Sequence, residues 1–293
     1  TRPRRAGAKL VAIGIFASRI FGLIRVRVFS HYFGLASDAA DAFNAGFKIP
    51  NLLQNLFGEG ALSGSFIPVY AKVHASGDRE EADRLAGAVA GLLSLTVSII
   101  VLAGVLGAPW LIDLTAPGFE GGKRALAVQI VRILFPGAGL LVVSAWCLGI
   151  LNSHHKFLLS YAAPIVWNLA MIAALAAFGG RSDLGRLATI LAWASVAGSA
   201  LQVAVQLPTV SKVLSAFRPS LDVRSPHVRE VIRNFWPVLF SRGVVQISAY
   251  IDQVIASLLP TGAVTGLANV QLLYTLPVSL FGISVSAAEL PGM

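Results

Sequence analysis

Eight times along the chain a run of about 20 predominantly apolar residues recurs, the length a helix needs to cross the hydrocarbon core of a bilayer. The runs read as 10–33, 39–73, 85–106, 125–151, 157–178, 187–207, 231–259 and 263–290. Backbone N–H and C=O groups in lipid must be satisfied within the protein, and repeated runs of this length satisfy them as helices. The expected fold is therefore all-α, a polytopic helical membrane protein. Composition agrees: 56% of residues are hydrophobic and 13% charged, against about 25% charged in soluble domains. The run 39–73 is too long for one straight span. Gly46, Pro50, Gly58, Gly60, Gly64 and Pro68 predict a broken or bent helix there, which membranes accept where the backbone is buried in protein or lines a wet cavity.

A net charge of +9 suits either nucleic acid or cytoplasmic loops enriched in Lys and Arg. Placement decides between them. With the N-terminus in the cytoplasm, that side holds Arg2, Arg4, Arg5, Lys9, Lys72, Arg79, Arg84, Lys156, Lys212, Arg218, Arg224, Arg229 and Arg233, against Lys123, Arg124, Arg181 and Arg186 outside. The asymmetry supports this orientation. Basic residues spread over alternate loops, with none of the usual binding motifs, exclude a nucleic-acid partner. Arg2, Arg4, Arg5 and Lys9 before "LVAIGIFAS" look like the start of a signal peptide, but Arg19 interrupts the run, so the segment reads as a retained first helix. The single cysteine, Cys147, allows no intramolecular disulfide.

"SRIFGLIRVRVFSHYFG" leading to "FNAGFKIP" is echoed by "SRGVVQISAYIDQVIASLL" leading to "VQLLYTLP". If the echo is a repeat, six spans form a unit, 1–215, and residues 216–293 begin a second unit related by an axis along the membrane normal. The chain is then expected to be part of a longer transporter.

The second run carries the most informative polar residues. Asp41, Asn44, Lys48, Asn51 and Asn55 step by three and four, the rhythm that keeps side chains on one side of a helix. A charge at a helix centre in lipid costs roughly 2.5–3.5 kcal/mol, so such groups normally face protein or water. The row is expected to turn toward a hydrated interior. Arg19 and Arg25 from the first run are read as cavity residues beside it. Arg242, Gln246 and Gln253, with Asp252, make a second polar row in the seventh. An arginine-rich cavity with few acids suits an anionic substrate, because guanidinium groups form paired, charge-assisted hydrogen bonds to phosphate oxygens.

Each of these has a structural alternative. Asp41 and Lys48 could belong to an ion-pair network between helices. Asn44, Asn51 and Asn55 could be interhelical hydrogen-bonding glue. Arg27 and Arg132 read as snorkelling or structural residues, and Glu59 as a gate or a helix-turn cap. "GAVAG" at 87–91 is a close-packing pattern. His31, His74, His154, His155 and His227 show no metal-ligand spacing, and no P-loop, dinucleotide fingerprint or nucleophile elbow is present. No enzyme, metal or cofactor is expected. A transporter of this kind would draw on a cation gradient or the membrane potential.

At "SRIFGLIR", "DAFNAGFKIPNLLQNLFGEGALSGSFIPVYA", "APW" followed by "TAPGF", and "LPVSLFGISVSAAELP", the sequence resembles the MurJ/MviN family, bacterial lipid II flippases of the MOP transporter superfamily. The resemblance implies a MOP/MATE-like lobe of six transmembrane helices plus the first two of a second lobe, around a central cationic cavity. It implies movement of undecaprenyl-pyrophosphate-linked peptidoglycan precursor across the inner membrane by alternating access, with protein partners unspecified. Arg19 and Arg25 match arginines thought to engage the pyrophosphate. Asp41 and Glu59 match gating acids, and Asp252 is a candidate for ion coupling. Asn44, Lys48, Asn51, Asn55 and Arg242 complete the candidate substrate contacts. Gln54 and Asn55 stand where familiar members carry paired arginines, and Leu272 where a cavity arginine is expected; Arg242, Arg27 or Lys48 could compensate. These departures leave open an exporter of another lipid-linked saccharide or of drugs, and the polar rows leave open a non-transporting membrane scaffold.

Overall fold

The computed structural model describes residues 2–214 and 217–273, with the side chains of 2–13, 15, 59, 157, 158, 160, 161 and 245 outside the description. Among the described residues every regular element is helical. The helices are α1 (Arg2–Phe33), α2 (Asp38–Asn55), α3 (Ala61–Ala75), α4 (Arg79–Leu106), α5 (Ala108–Thr115), α6 (Gly121–Ser153), α7 (Phe157–Phe178), α8 (Leu184–Val213), α9 (Pro226–Ser257) and α10 (Ala263–Leu273). By length and composition alone, α4, α6 and α8 can each cross a membrane. Arg19, Arg25 and Arg27 interrupt the apolar stretch of α1, Asp41 and Lys48 that of α2, and Arg242 and Asp252 that of α9, and the far end of the eighth run lies outside the described residues.

The long second run breaks as its glycines and prolines require. A π-helical turn, Leu56–Gly60, joins α2 to α3, with Gly58 at φ −81° and ψ −114°. The extra residue of a π turn shifts the phase of every side chain that follows. Elsewhere the boundaries follow local chemistry. Ser37 caps α2 by accepting from the N–H of Ala40, Asp78 caps α4 through Glu81, and Asp183 caps α8 through Arg186. The sequence reading missed α5 as a separate element. Its start is marked by a Gly-Ala-Pro turn after α4, and a bidentate ion pair from Arg124 to Asp113 holds it against the start of α6.

At the centre stands α6, whose buried face meets α2, α4 and α8, while α1 lies along α7. Val131, Val142, Cys147 and Ile150 of α6 are fully buried among these neighbours. The chain crosses back and forth, so α1 ends and α2, α6 and α10 begin at one end of the bundle. At the other end α3, α6 and α8 finish and α4, α7 and α9 begin. We call these the Asp38 end and the Arg79 end. α9 crosses the bundle against α3, where Gly60 and Gly64 permit the approach: a Cβ on Gly64 would lie 2.8 Å from Val238 and one on Gly60 3.4 Å from Arg242.

"GAVAG" serves a different contact from the helix pair its spacing suggests. The connection between α8 and α9 lies directly on it: Ser220 N–H donates to the carbonyl of Gly87 at 3.2 Å. A Cβ at Gly87 or Gly91 would stand 2.2 Å from the carbonyl oxygen of Arg218 or Ser220.

Candidate functional site

The polar row of α2 divides. Asp41 is 1% exposed, and its carboxylate is saturated. Oδ2 accepts from Lys123 Nζ at 2.8 Å and from the N–H of Gly262 at 2.8 Å, while Oδ1 accepts from the N–H of Thr265 at 2.9 Å and its hydroxyl at 2.7 Å. A carboxylate has about four acceptor sites, and here each is used. Gly262 and Thr265 stand at the start of α10, where backbone N–H groups have no partner in their own helix and the dipole favours an anion. Asp41 therefore caps a helix more than 220 residues away in sequence. Asn44 adds a bond from Nδ2 to Thr265 Oγ1 at 3.2 Å. Asp38 accepts from the Thr261 hydroxyl at 2.9 Å and pairs with Lys123 at 3.2 Å. The Thr261 hydroxyl, and then Lys123, hold the exposed Asp38 carboxyl below its ordinary range. That small contribution is present above the unfolded carboxylate range and is lost as pH falls through the lowered value.

One turn further along, Lys48 donates to the carbonyl of Ala249 and lies over the ring of Tyr250, whose hydroxyl donates back to the carbonyl of Lys48 at 2.9 Å. Asp252, exposed on α9, exerts its charge on Lys48. Asn51 belongs elsewhere. With Phe47, Pro50 and Gln54 it lines a small crevice against α6 and Ser195 of α8. Asn55, half-buried, ends α2 at the π turn. The expected single hydrated row is thus two sets: Asp41, Asn44 and Lys48 bind α9 and α10, and Asn51 faces the interior of the first bundle.

Arg25 is held rather than loose. Its Nε donates to Asn168 Oδ1 at 3.0 Å, and its guanidinium carbon lies 5.1 Å from the centre of Trp167 and 5.9 Å from that of Phe47. Trp167 is fixed by its indole N–H to Ser195 on α8, and Asn168 by its amide to the carbonyl of Pro164. Among the described residues the terminal fork of Arg25 has no hydrogen-bond acceptor. Arg19, Arg27 and Arg242 are exposed. Arg242 lies over Gly60 in the π turn that contains Glu59, whose side chain is outside the description. Leu272 is half-buried in α10.

Several residues escaped the sequence reading. Lys123 was counted only as a loop charge, Thr261 fell in the connection between the last two apolar runs, and Thr265 was only part of the last run; nothing local marks their partners on α2. Asn168 did leave a signal, a lone amide in "IVWNLAM". Replacing Asn168 with Leu is expected to lower stability by about 1.5–3 kcal/mol, the range for a lost hydrogen bond to a charged group. Denaturation of the detergent-solubilised protein measures it, with Asn168→Asp as the variant that retains an acceptor.

The matching family model is "Lipid II flippase MurJ", over residues 29–293. The lipid II flippase MurJ of Burkholderia cenocepacia is 33% identical over 282 residues, covering 94% of this chain and 54% of that protein. The probable lipid II flippase MurJ of Haemophilus influenzae is 34% identical over 283 residues, covering 94% and 55%. A solved structure titled lipid II flippase MurJ, inward closed conformation, superimposes with a TM-score of 0.77 at 26% identity, covering 95% of this chain and 57% of that one. An outward-facing multidrug resistance MATE transporter of the MOP superfamily, 17% identical, covers 83% of this chain and 54% of its own with a TM-score of 0.64, a likeness of fold alone. The chain spans about half the length of the curated relatives it matches.

Proposed function

The chain belongs to the lipid II flippase MurJ family and is a multi-pass protein of the bacterial inner membrane, and we propose that the intact protein carries a lipid-linked peptidoglycan precursor between leaflets by alternating access. One observation carries the mechanism. The contact between α1–α8 and the start of the second unit at the Asp38 end centres on one buried carboxylate, Asp41, which takes three of its four hydrogen bonds from Gly262 and Thr265 at the start of α10, with the exposed Asp38 bonded to Thr261 beside it. A polar contact of this kind has two discrete states, made or broken, as an access gate needs. With the N-terminus in the cytoplasm, the Asp38 end is periplasmic, and the conformation is closed to the periplasm.

In this reading Arg25 offers its free fork to the pyrophosphate, with its stem and Nε held by Trp167, Phe47 and Asn168 so that little side-chain entropy is lost on binding. Arg19 and Arg242 are the exposed cations that meet the entering headgroup, and Arg242 compensates for Gln54, Asn55 and Leu272. Lys48, already bonded to α9, closes the gate alongside Asp41 and Asn44. Asn51 and Asn55 suit the sugar and peptide groups of the headgroup. Glu59 lies at the turn where α2 and α3 can flex. Asp252 beside Lys48 is the candidate site for cation coupling, the membrane potential being the other source of drive.

Depletion of the native protein with complementation by variants tests the proposal. Arg19→Glu with Arg242→Glu should abolish exposure of the lipid-linked precursor on the outer leaflet while leaving expression unchanged. Normal exposure in that double variant would mean that the polar groups only tie helices together.

A further inference from the structure

On the flank of the first bundle, at the Arg79 end, α4, α6, α8 and the connection to α9 enclose a groove of about 580 Å³, within the roughly 300–1,000 Å³ of small-molecule sites. It shares no lining residue with the Asp41 contact or with Arg25. Ala90 and Ser94 of α4, Val143 and Trp146 of α6, Leu207 of α8 and Phe217 of the connection supply an almost wholly apolar wall. Trp146 is 3% exposed, and its indole N–H has no acceptor among the described residues. A buried indole N–H normally finds a partner, and among the described residues this donor on a groove-lining side chain has none. Phe217 stacks on Trp146 with ring centres 5.6 Å apart.

The surroundings identify the occupant. Leu95, Ile99 and Leu102 of α4 and Leu201 and Val205 of α8 are exposed on helices apolar enough to cross a membrane, so the flanks of the groove suit contact with acyl chains. Lys212 follows Ser211 in its lining, and Arg218 stands between its lining residues Phe217 and Pro219. Both are exposed, and Arg224 and Arg229 follow on the same end. An apolar slot, an unpaired N–H donor and a cationic rim together match one ligand chemistry: acyl chain, ester carbonyl and phosphate. We propose that this groove binds an anionic phospholipid of the adjoining leaflet, its chain between α4 and α8, an ester oxygen accepting from Trp146 and its phosphate at Lys212 and Arg218. Phe217 and Pro219 belong to the connection between the two units, so the bound lipid bears on the segment through which they are joined.

The test uses the intact protein in nanodiscs containing a photoactivatable diazirine phosphatidylglycerol, or the matching phosphatidylcholine, with labelled residues mapped by mass spectrometry. Labelling is expected at Ser94, Leu207 and Phe217, with a clear excess for phosphatidylglycerol. Lys212→Glu and Arg218→Glu should each reduce it about fivefold or more, the factor for one basic residue near an anionic surface. Ser94→Phe should block the slot, and Lys212→Glu, a surface change, carries the test if that variant folds poorly. Equal labelling by the two lipids, or labelling spread over Leu95, Ile99 and Leu102 and unchanged in the variants, would overturn the proposal.

Discussion

Replacing Asp41 with alanine is expected to shift the Asp38 end from closed toward open by at least about two orders of magnitude in population. The carboxylate is buried and pairs with Lys123 while capping α10 through Gly262 and Thr265. Removing one partner of a buried ion pair costs about 3–5 kcal/mol, because the other charge is left without compensation. In the variant, Lys123 retains the exposed Asp38 and the ring of Phe119 but no buried counter-charge, and two N–H groups at the start of α10 lose their acceptor. Every such group can recover a partner in water by opening, so the lost free energy appears as separation of α10 from α2 rather than as global unfolding. Val264, 4% exposed beside these bonds, is the reporter. A cysteine there should react with a membrane-impermeant thiol reagent about 100-fold faster in the Asp41→Ala background, and Thr265→Val, which removes one hydroxyl, should give a rise of about fivefold. The native Cys147 is buried and contributes little background. Equal rates with and without Asp41 would show that apolar packing holds this end closed, and the gating role would fall with it.

The fold was legible because lipid leaves so few solutions. Apolar runs of spanning length must be helices, and the run that was too long had to break. The break came at Gly58, among the glycines and prolines that marked it. The same simplicity did not extend to side-chain direction. Asp41, Asn44 and Lys48 keep the spacing of one face, and they do share one, but the sequence reading expected that face to meet water and held interhelical bonding as its alternative. The structure assigns it to α9 and α10, because a polar row serves equally well as a cavity wall and as a set of interhelical bonds. Periodicity reports which residues lie together and is silent about what they meet. Lys123, Thr261 and Thr265 could not have been found by any local rule, since their partners are distant in sequence. The connection on "GAVAG" shows the same limit in apolar form: small residues announce a close approach without naming the visitor.

That approach gives the second large effect. Gly87→Val combined with Gly91→Val should detach the connection between α8 and α9 from α4, whereas Arg218→Ala and Ser220→Ala should leave it seated. The difference arises because the contact is made by backbone. Ser220 N–H reaches the Gly87 carbonyl, and the carbonyls of Arg218 and Ser220 occupy the space where a Cβ at either glycine would stand, 2.2 Å away. A side-chain tip can rotate aside, but a carbonyl oxygen moves only with its chain. Overpacking of this kind costs about 1–3 kcal/mol at each site, and the lost hydrogen bond adds about 1 kcal/mol. Both exceed thermal energy, and an exposed connection has few other contacts to hold it down, so the chain lifts instead of compressing. Hydrogen exchange at the amide of Ser220 should accelerate by at least tenfold in the double valine variant, and limited proteolysis should cut near Arg218. Unchanged protection in the valine variant, or equal loss in Arg218→Ala, would mean that side chains hold the connection. The N-terminal anchor of α9 gives an internal control: Glu81 accepts from Ser225 and His227 several residues beyond the glycine contact. With that anchor intact, α9 keeps its start while the connection before it lifts, so loss of protection should stop short of Ser225.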